Sequence, residues 1–191
     1  MTNRVEQMRK IQEEAKNSDS YNFEGNDAIE KFFYSNDPEI FNKAIQKLNS
    51  LGDKLKTLTK KTNTLIEIEI SKNKEMRELL IDIHSFTILI IALYDISNAD
   101  IEENPFILFN KYEEIQEKTL KIFEKKNADY GDAFAIYGTI GVLVRMGDKF
   151  LRIQSLIEKT DYKGNVIDES INDTLLDLVN YAAMAVMLLD E

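Results

Sequence analysis

Residues that interrupt helices are scarce in this chain, which has only seven glycines and two prolines among 191 residues. Glycine and proline are the residues that most disfavour a helix interior. Alanine, leucine, isoleucine, lysine and glutamate are abundant instead. Only Thr64–Ile70 alternates apolar and polar residues as a short strand or hairpin arm would. The sequence therefore predicts an all-α helical bundle.

Apolar residues recur with helical spacing along most of the chain, and two kinds of signal divide it into elements. Pro38 and Pro105 suit the first turn of a helix, where a missing N–H costs nothing. Polar segments rich in turn residues predict loops or connectors; these are Ser18–Asn26, Asn98–Pro105 and Asp161–Asp168. The predicted helices are Asn3–Ala15, Ala28–Tyr34, Pro38–Leu58, Met76–Tyr94, Phe106–Lys125, Ala133–Lys159 and Ile171–Leu189.

Charge and cysteine content narrow the classes of function. A formal net charge of −10 counts against nucleic acid as the main partner, because phosphate backbones require a basic surface. Without cysteine the chain has no disulfide, thiolate nucleophile or cysteine zinc site. The first ten residues lack the apolar core of a signal peptide. The apolar stretch Ile83–Tyr94 is too short to span a bilayer. We expect a soluble, cytoplasmic protein without a membrane partner.

A weak internal repeat divides the chain into a unit at 1–100 and a second unit at 101–191. Three segments recur in the same order, the latter two at an offset of 95 residues. They are Lys16–Asp19 with Lys126–Asp129, Gly52–Lys54 with Gly147–Lys149, and Glu78–Asp82 with Asp173–Asp177. One interpretation is a duplicated helical unit that packs as a pseudo-dimer; the other is helix pairs of similar composition. The second unit alone carries Tyr130, Gly131, Arg145, Arg152 and Glu169, so we expect it to hold the functional site.

Carboxylates recur at helical spacing in the second unit. Glu113 and Glu117 are one turn apart, and Glu169, Asp173 and Asp177 follow each other at four-residue intervals. Carboxylates from two antiparallel helices are a common way to bind Mg²⁺ or Mn²⁺ within a bundle. The alternative is a solvated acidic face. That alternative fits Asp177 poorly, because its neighbours are apolar and a buried carboxylate needs a partner.

Basic residues form one stripe on the helix predicted at Ala133–Lys159. Arg145, Asp148, Lys149 and Arg152 stand at positions i, i+3, i+4 and i+7. A structural ladder of ion pairs is one interpretation. The other assigns Arg145, Lys149 and Arg152, together with Lys126, to phosphate oxygens. Tyr130 before Gly131 could stack on a base or belong to the core, and His84, the only histidine, is expected to be structural.

The combined motifs resemble the nucleotide modification associated domain 1 family of phages and bacteria. They are Lys126-Asn127-x-Asp129-Tyr130-Gly131, Arg145-x-x-Asp148-Lys149-x-x-Arg152, and Glu169 with Asp177-x-x-Asn180-Tyr181. That family is similar to the all-α NTP pyrophosphohydrolases, the MazG-like and dimeric dUTPase-like enzymes. The superfamily binds Mg²⁺ through a Glu-Glu-x-x-Glu motif, which Glu113, Glu114 and Glu117 match. Its second motif, Glu-x-x-Asp, is replaced here by the wider spacing from Glu169 to Asp177.

The resemblance implies a Mg²⁺-dependent pyrophosphohydrolase acting on a (deoxy)nucleoside triphosphate, in the cytoplasm of a bacterial host if phage-encoded. The alternative is a nucleotide-binding protein without turnover. Three groups of residues are assigned. The candidate catalytic residues are Glu114, Glu117 and Asp148. The candidate metal ligands are Glu113, Glu117, Glu169, Asp173 and Asp177, for Mg²⁺ or Mn²⁺. The candidate nucleotide-binding residues are Lys126, Asp129, Tyr130, Arg145, Lys149, Arg152, Asn180 and Tyr181. A homo-oligomer remains an open alternative.

Overall fold

A computed structural model describes residues 3–18, 38–63, 70–97, 106–159 and 169–191. All the regular elements in these ranges are helices, as the sequence predicts. They are α1 (Arg4–Lys16), α2 (Pro38–Asn63), α3 (Ile70–Ser97), α4 (Phe106–Tyr130), α5 (Ala133–Ile136), α6 (Gly138–Lys159) and α7 (Glu169–Leu189). The predicted helix at Ala28–Tyr34, the connector at Asn98–Pro105 and the loop at Asp161–Asp168 lie outside the described residues.

Helices α3 and α7 form the centre of the bundle because both are apolar around most of their circumference. They run antiparallel: Arg77 near the start of α3 contacts Asp190, and His84 further along α3 contacts Val179. Helices α2 and α4 pack on α3, α6 packs on α7, and α1 packs against α3, α4 and α7. Helices from both predicted units thus share one core.

Two arginines fasten the end of the chain to this core. Arg77 binds Glu14 on α1 and also places its Nε 2.6 Å from the Oδ1 atom of Asp190. Arg4, which is buried, binds Glu191 and Asp132. The carboxylates that neutralise these two guanidinium groups come from α1, the α4–α5 turn and the C-terminal residues, so the ion pairs fix how these segments meet.

Helix α3 contains the only described stretch that is long and apolar enough to cross a membrane. Within that stretch, Lys74–Ile96, 83% of the most apolar 18-residue window is buried in the bundle. Burial of this kind is expected for the core helix of a soluble protein, which supports the predicted solubility. The cytoplasmic location stays a prediction.

The structure corrects the prediction of one continuous helix over Ala133–Lys159. The helix is broken between α5 and α6, where Gly138 adopts a positive φ of 62°. That left-handed conformation is readily adopted only by glycine and cannot continue a right-handed helix. Three other helices are markedly longer than predicted: α2 continues to Asn63, α4 continues to Tyr130, and α3 runs from Ile70 to Ser97. Ile70 therefore begins a helix rather than ending a strand. The remainder of the possible strand lies outside the described residues.

Candidate functional site

Two lysines and one aspartate meet where α4, α6 and α7 come together. The Nζ atom of Lys126 on α4 lies 2.8 Å from Asp177 Oδ1, and Nζ of Lys149 on α6 lies 2.9 Å from Asp177 Oδ2. We call Lys126, Lys149 and Asp177 the lysine–aspartate cluster. The partner that the sequence requires for Asp177 is therefore a pair of cations, and three of the predicted site residues meet here.

The two lysines determine the charge state of Asp177. Partial burial disfavours its ionised form, but hydrogen bonds from Lys126 and Lys149 outweigh that cost, so the pKa of Asp177 lies below its ordinary value. The cluster has two positive charges against one negative charge near neutral pH. An excess positive charge held on rigid helices suits an incoming anion such as phosphate.

Helix α7 presents two further predicted residues beside the cluster. Tyr181 is one turn beyond Asp177, and the Nζ atom of Lys149 lies 6.0 Å from the centre of its ring. Asn180 is only 3% exposed, and both atoms of its amide have no hydrogen-bond partner among the described residues. A buried amide left in this state costs free energy unless a ligand or water satisfies it. Asn180 is therefore a candidate ligand contact.

The last turn of α4 carries Asp129 and Tyr130, about one turn beyond Lys126. Gly131 has a φ of 57° and its amide donates to Asn127 O at 2.8 Å, which ends the helix five residues later than the predicted end at Lys125. Tyr130 is 74% exposed, so the alternative of a core tyrosine is wrong. Asp129 is also exposed. The exposed ring is free to stack on a planar ligand.

The remaining members of the basic stripe lie on the solvent side of α6. Arg145 and Asp148 form an exposed pair with an N–O distance of 3.8 Å. Arg152 is exposed one turn beyond Asp148. These three residues lie on the stripe that includes Lys149. The same exposed surface therefore fits both interpretations of the stripe, a ladder of ion pairs and a phosphate-binding surface. An exposed pair at this distance is weak and is readily exchanged for another anion.

The acidic motif on α4 faces away from the cluster. Its three glutamates are paired with lysines: Glu113 with Lys16 of α1 at 2.7 Å, Glu114 with Lys111 at 2.9 Å, and Glu117 with Lys121 at 3.7 Å. Glu117 precedes Lys126 by nine residues, or two and a half turns, which places it on the opposite side of α4. The structure does not bring these glutamates together with Asp177.

The described residues do not by themselves fit a divalent metal. Both carboxylate oxygens of Asp177 accept from lysines, and no cluster of three acidic or histidine side chains exists among the described residues. Asp173 is exposed one turn before Asp177. Glu169 begins α7, but its side chain is outside the described part of the structure. The metal assignment for these residues stays a prediction.

Two buried polar groups were not singled out as site residues from the sequence. Asn127, next to Lys126, has a buried Oδ1 atom without a hydrogen-bond partner among the described residues. His84 is fully buried; its Nδ1 lies 3.0 Å from Val179 O, whereas Nε2 has no described partner. The position of Asn127 within the Lys126–Gly131 motif was the sequence signal that could have identified it as a site residue. The complete burial of His84 fits its expected structural role, although only one of its two ring nitrogens has a hydrogen-bond partner among the described residues.

The fold and the site thus define a class of protein: an all-α bundle with a cationic cluster between three helices. Residues 126–189 match the family described as Nucleotide modification associated domain 1. This match spans α6, α7 and the entire lysine–aspartate cluster, and it confirms the resemblance for that segment. No curated protein and no solved structure matches the chain. The similarity to all-α pyrophosphohydrolases stays a prediction.

Proposed function

We propose that the chain is a nucleotide-binding protein whose phosphate site is the lysine–aspartate cluster. The observation that carries the proposal is the convergence of Lys126 and Lys149 on one carboxylate, within the segment that matches the nucleotide modification family. Lysines from different helices fix two positive charges in space, and a phosphate group can bridge them as the Asp177 carboxylate does. Asp177 is then the counter-ion of the two lysines, and an incoming phosphate competes with it for them.

The surroundings of the cluster supply the other contacts that a nucleotide needs. Arg145 and Arg152 lie on the same stripe of α6 as Lys149, and their exposed guanidinium groups suit the outer phosphates. Tyr130 offers an exposed aromatic face for a base. The buried amide of Asn180 offers an NH2 donor group and a carbonyl acceptor to a sugar or base edge.

Equilibrium binding of labelled nucleoside mono-, di- and triphosphates tests this proposal. We expect Lys126→Ala to weaken binding at least tenfold, because it removes a charge-assisted contact worth about 1.5–3 kcal/mol. Lys118→Ala is the matched control, since Lys118 is an exposed lysine on the same helix. Equal affinities of both variants for all nucleotides would contradict the proposed site.

A second candidate is the pyrophosphohydrolase activity implied by the family resemblance. It is supported by the row of carboxylates along α7, where Asp173 is exposed one turn from Asp177 and Glu169 opens the helix. Release of pyrophosphate from a nucleotide panel, with and without Mg²⁺ or Mn²⁺, separates the two candidates. Binding without any product at high protein concentration indicates a sequestering or accessory protein.

We also propose that the bundle is an internal pseudo-dimer. At a two-fold axis, equivalent residues of the two halves meet each other. His84 and Val179, which are 95 positions apart, are hydrogen-bonded, and Gly52 and Gly147, also 95 apart, line the same groove. If this is correct, the isolated segment 101–191 should self-associate through its copy of the α7 surface. A folded monomer in sedimentation experiments would contradict the duplication.

A further inference from the structure

The first turn of α1 contains an arginine that is almost completely buried. The side chain of Arg4 is only 6% exposed, and a buried charge costs free energy unless it is paired and hydrogen-bonded. Its Nε atom lies 3.0 and 3.1 Å from the two carboxylate oxygens of Asp132, and its Nη1 atom donates to Gln7 and to Glu191. The two carboxylates are themselves partly exposed, at 51% and 41%. Arg4 is therefore the fixed point to which two more exposed side chains are fastened.

Arg4 holds a short segment of the chain, Gly131–Gly138, which is bounded by two glycines with positive φ. Helix α5 within this segment contains no buried residue, so burial alone does little to keep it in place. The segment is fastened through Asp132 and through Phe134. The ring of Phe134 lies 5.3 Å from the guanidinium carbon of Arg4 and meets the ring of Phe123 edge-on. One side chain of α1 thus anchors the segment twice, by an ion pair and by a ring contact.

The anchored segment begins directly after Tyr130. Residues 128–130 are exposed in the last turn of α4, and helix ends fray unless something holds them. The ion pair of Asp132 with Arg4 lies two residues beyond Tyr130 and restrains the chain where it leaves the helix. The position of the Tyr130 ring relative to Lys126, one turn earlier, therefore depends on a contact that α1 supplies.

We propose that Arg4 is a positioning residue of the nucleotide site: it holds the end of α4 so that Tyr130 meets the base of a ligand whose phosphate lies at the lysine–aspartate cluster. This inference rests on the proposed function. Tyr130 follows Lys126 by four residues, about 6 Å along the helix. One sugar joins a base to its 5′-phosphate, so both side chains can contact the same nucleotide. An aromatic side chain that is held in place before binding loses less conformational freedom when a base stacks on it.

Asp132→Ala tests the proposal because it releases the turn but leaves Arg4 paired with Glu191. Glu191→Ala is the matched control, since it removes one carboxylate from the same guanidinium group without changing the turn. Calorimetry measures the affinity of each variant for a nucleoside triphosphate and for inorganic tripolyphosphate, which has the phosphates but no base. We expect Asp132→Ala to weaken nucleotide binding about fivefold or more, the scale of a lost base–aromatic stack. Tripolyphosphate binding should be unchanged, and Glu191→Ala should change neither affinity.

Combining Asp132→Ala with Tyr130→Ala shows whether the turn acts through the tyrosine ring. Tyr130→Ala alone should weaken nucleotide binding by at least as much as Asp132→Ala. The double variant should bind no more weakly than Tyr130→Ala, because both substitutions remove the same stacking contact. Losses that multiply in the double variant would show that Asp132 acts independently of Tyr130, and would overturn the inference.

Two further results would overturn the inference but not the proposed function. One is nucleotide binding that requires Lys126 but is unaffected by Asp132→Ala. The other is an equal loss of affinity for both ligands, or a loss shared by Glu191→Ala, because a general structural role of Arg4 would produce either. If the proposed function is wrong, the wild type binds neither ligand, or Lys126→Ala binds both as tightly as the wild type. Thermal unfolding verifies that each variant is folded, and Asp132→Asn, which keeps the shape of the side chain, replaces Asp132→Ala if that variant is not.

Discussion

Acidification from pH 7.5 to pH 5 is expected to destabilise this protein by about 2 kcal/mol, because its only histidine is buried in an uncharged state. Burial lowers the pKa of His84 to about 4, and the hydrogen bond to Val179 O only partly opposes that effect. A carbonyl oxygen can only accept, so Nδ1 carries the hydrogen and Nε2 is the unpartnered atom.

The direction of the effect follows from proton binding. Unfolded histidine takes up a proton below about pH 6.5, whereas folded His84 does so only near pH 4. Between these values the unfolded state binds more protons, so stability falls as the pH decreases. Asp177 and Glu14 also have lowered pKa values. Their contribution to stability is fully present above the ordinary carboxylate pKa, and it is lost only as the pH falls through their lower folded-state pKa values. The histidine effect therefore occupies its own pH window.

Urea unfolding at a series of pH values measures this effect. The wild-type free energy of unfolding should decrease by about 2 kcal/mol between pH 7.5 and pH 5. His84→Gln, which is neutral throughout this range, should be less stable at pH 7.5 but nearly independent of pH down to pH 5. A wild-type curve that is flat over this range, or a His84→Gln curve that keeps the wild-type slope, would refute the reasoning.

Five substitutions, in three tests, examine other parts of the structure by thermal and urea unfolding. Asp177→Asn leaves two ammonium groups facing each other and should lower the free energy of unfolding by about 1–2 kcal/mol. Calorimetry on the same variant, without metal, should show tighter binding of inorganic pyrophosphate. Unchanged affinity would contradict the role of Asp177 as a counter-ion. Gly138→Ala should destabilise the fold by about 1–2 kcal/mol, because Gly138 has a positive φ. Gly147→Ala, in an open helical position, should stabilise the fold by about 0.5–1 kcal/mol. A change of the same sign in the two variants would contradict this reasoning. Gly52→Ala should cost about 1–3 kcal/mol, because its methyl group would lie 2.8 Å from the Phe150 ring, and Phe150→Leu in the same chain should recover part of that loss.

Local patterns predicted the helices and part of the site. The scarcity of helix breakers and the apolar periodicity are sufficient for all-α structure, since both act within a few turns of chain. The need of Asp177 for a partner was also visible, because its neighbours in sequence are apolar. That the partners are Lys126 and Lys149 required the relative positions of three helices, which no local pattern contains.

Local sequence patterns also do not show which way the acidic motif on α4 faces. Spacing correctly places Glu113 and Glu117 on one face of a helix. It does not show that this face is directed towards Lys16 of α1, while Lys126 and α7 lie on the other side. The rotation of α4 about its axis is decided by how its apolar residues pack on α3 and α7.

The sequence by itself determined that this protein is built of helices and that residues 126–189 carry an unusual combination of charges. It did not determine which apolar residues are covered. On α6 the stripe of Val142, Met146 and Ile153 is buried, whereas Val144 and Leu151 are exposed. Both stripes have helical spacing, so periodicity cannot distinguish them. Only the packing of α6 against α7 on one side, with a groove towards α2 on the other, decides which stripe is buried in the core and which is exposed.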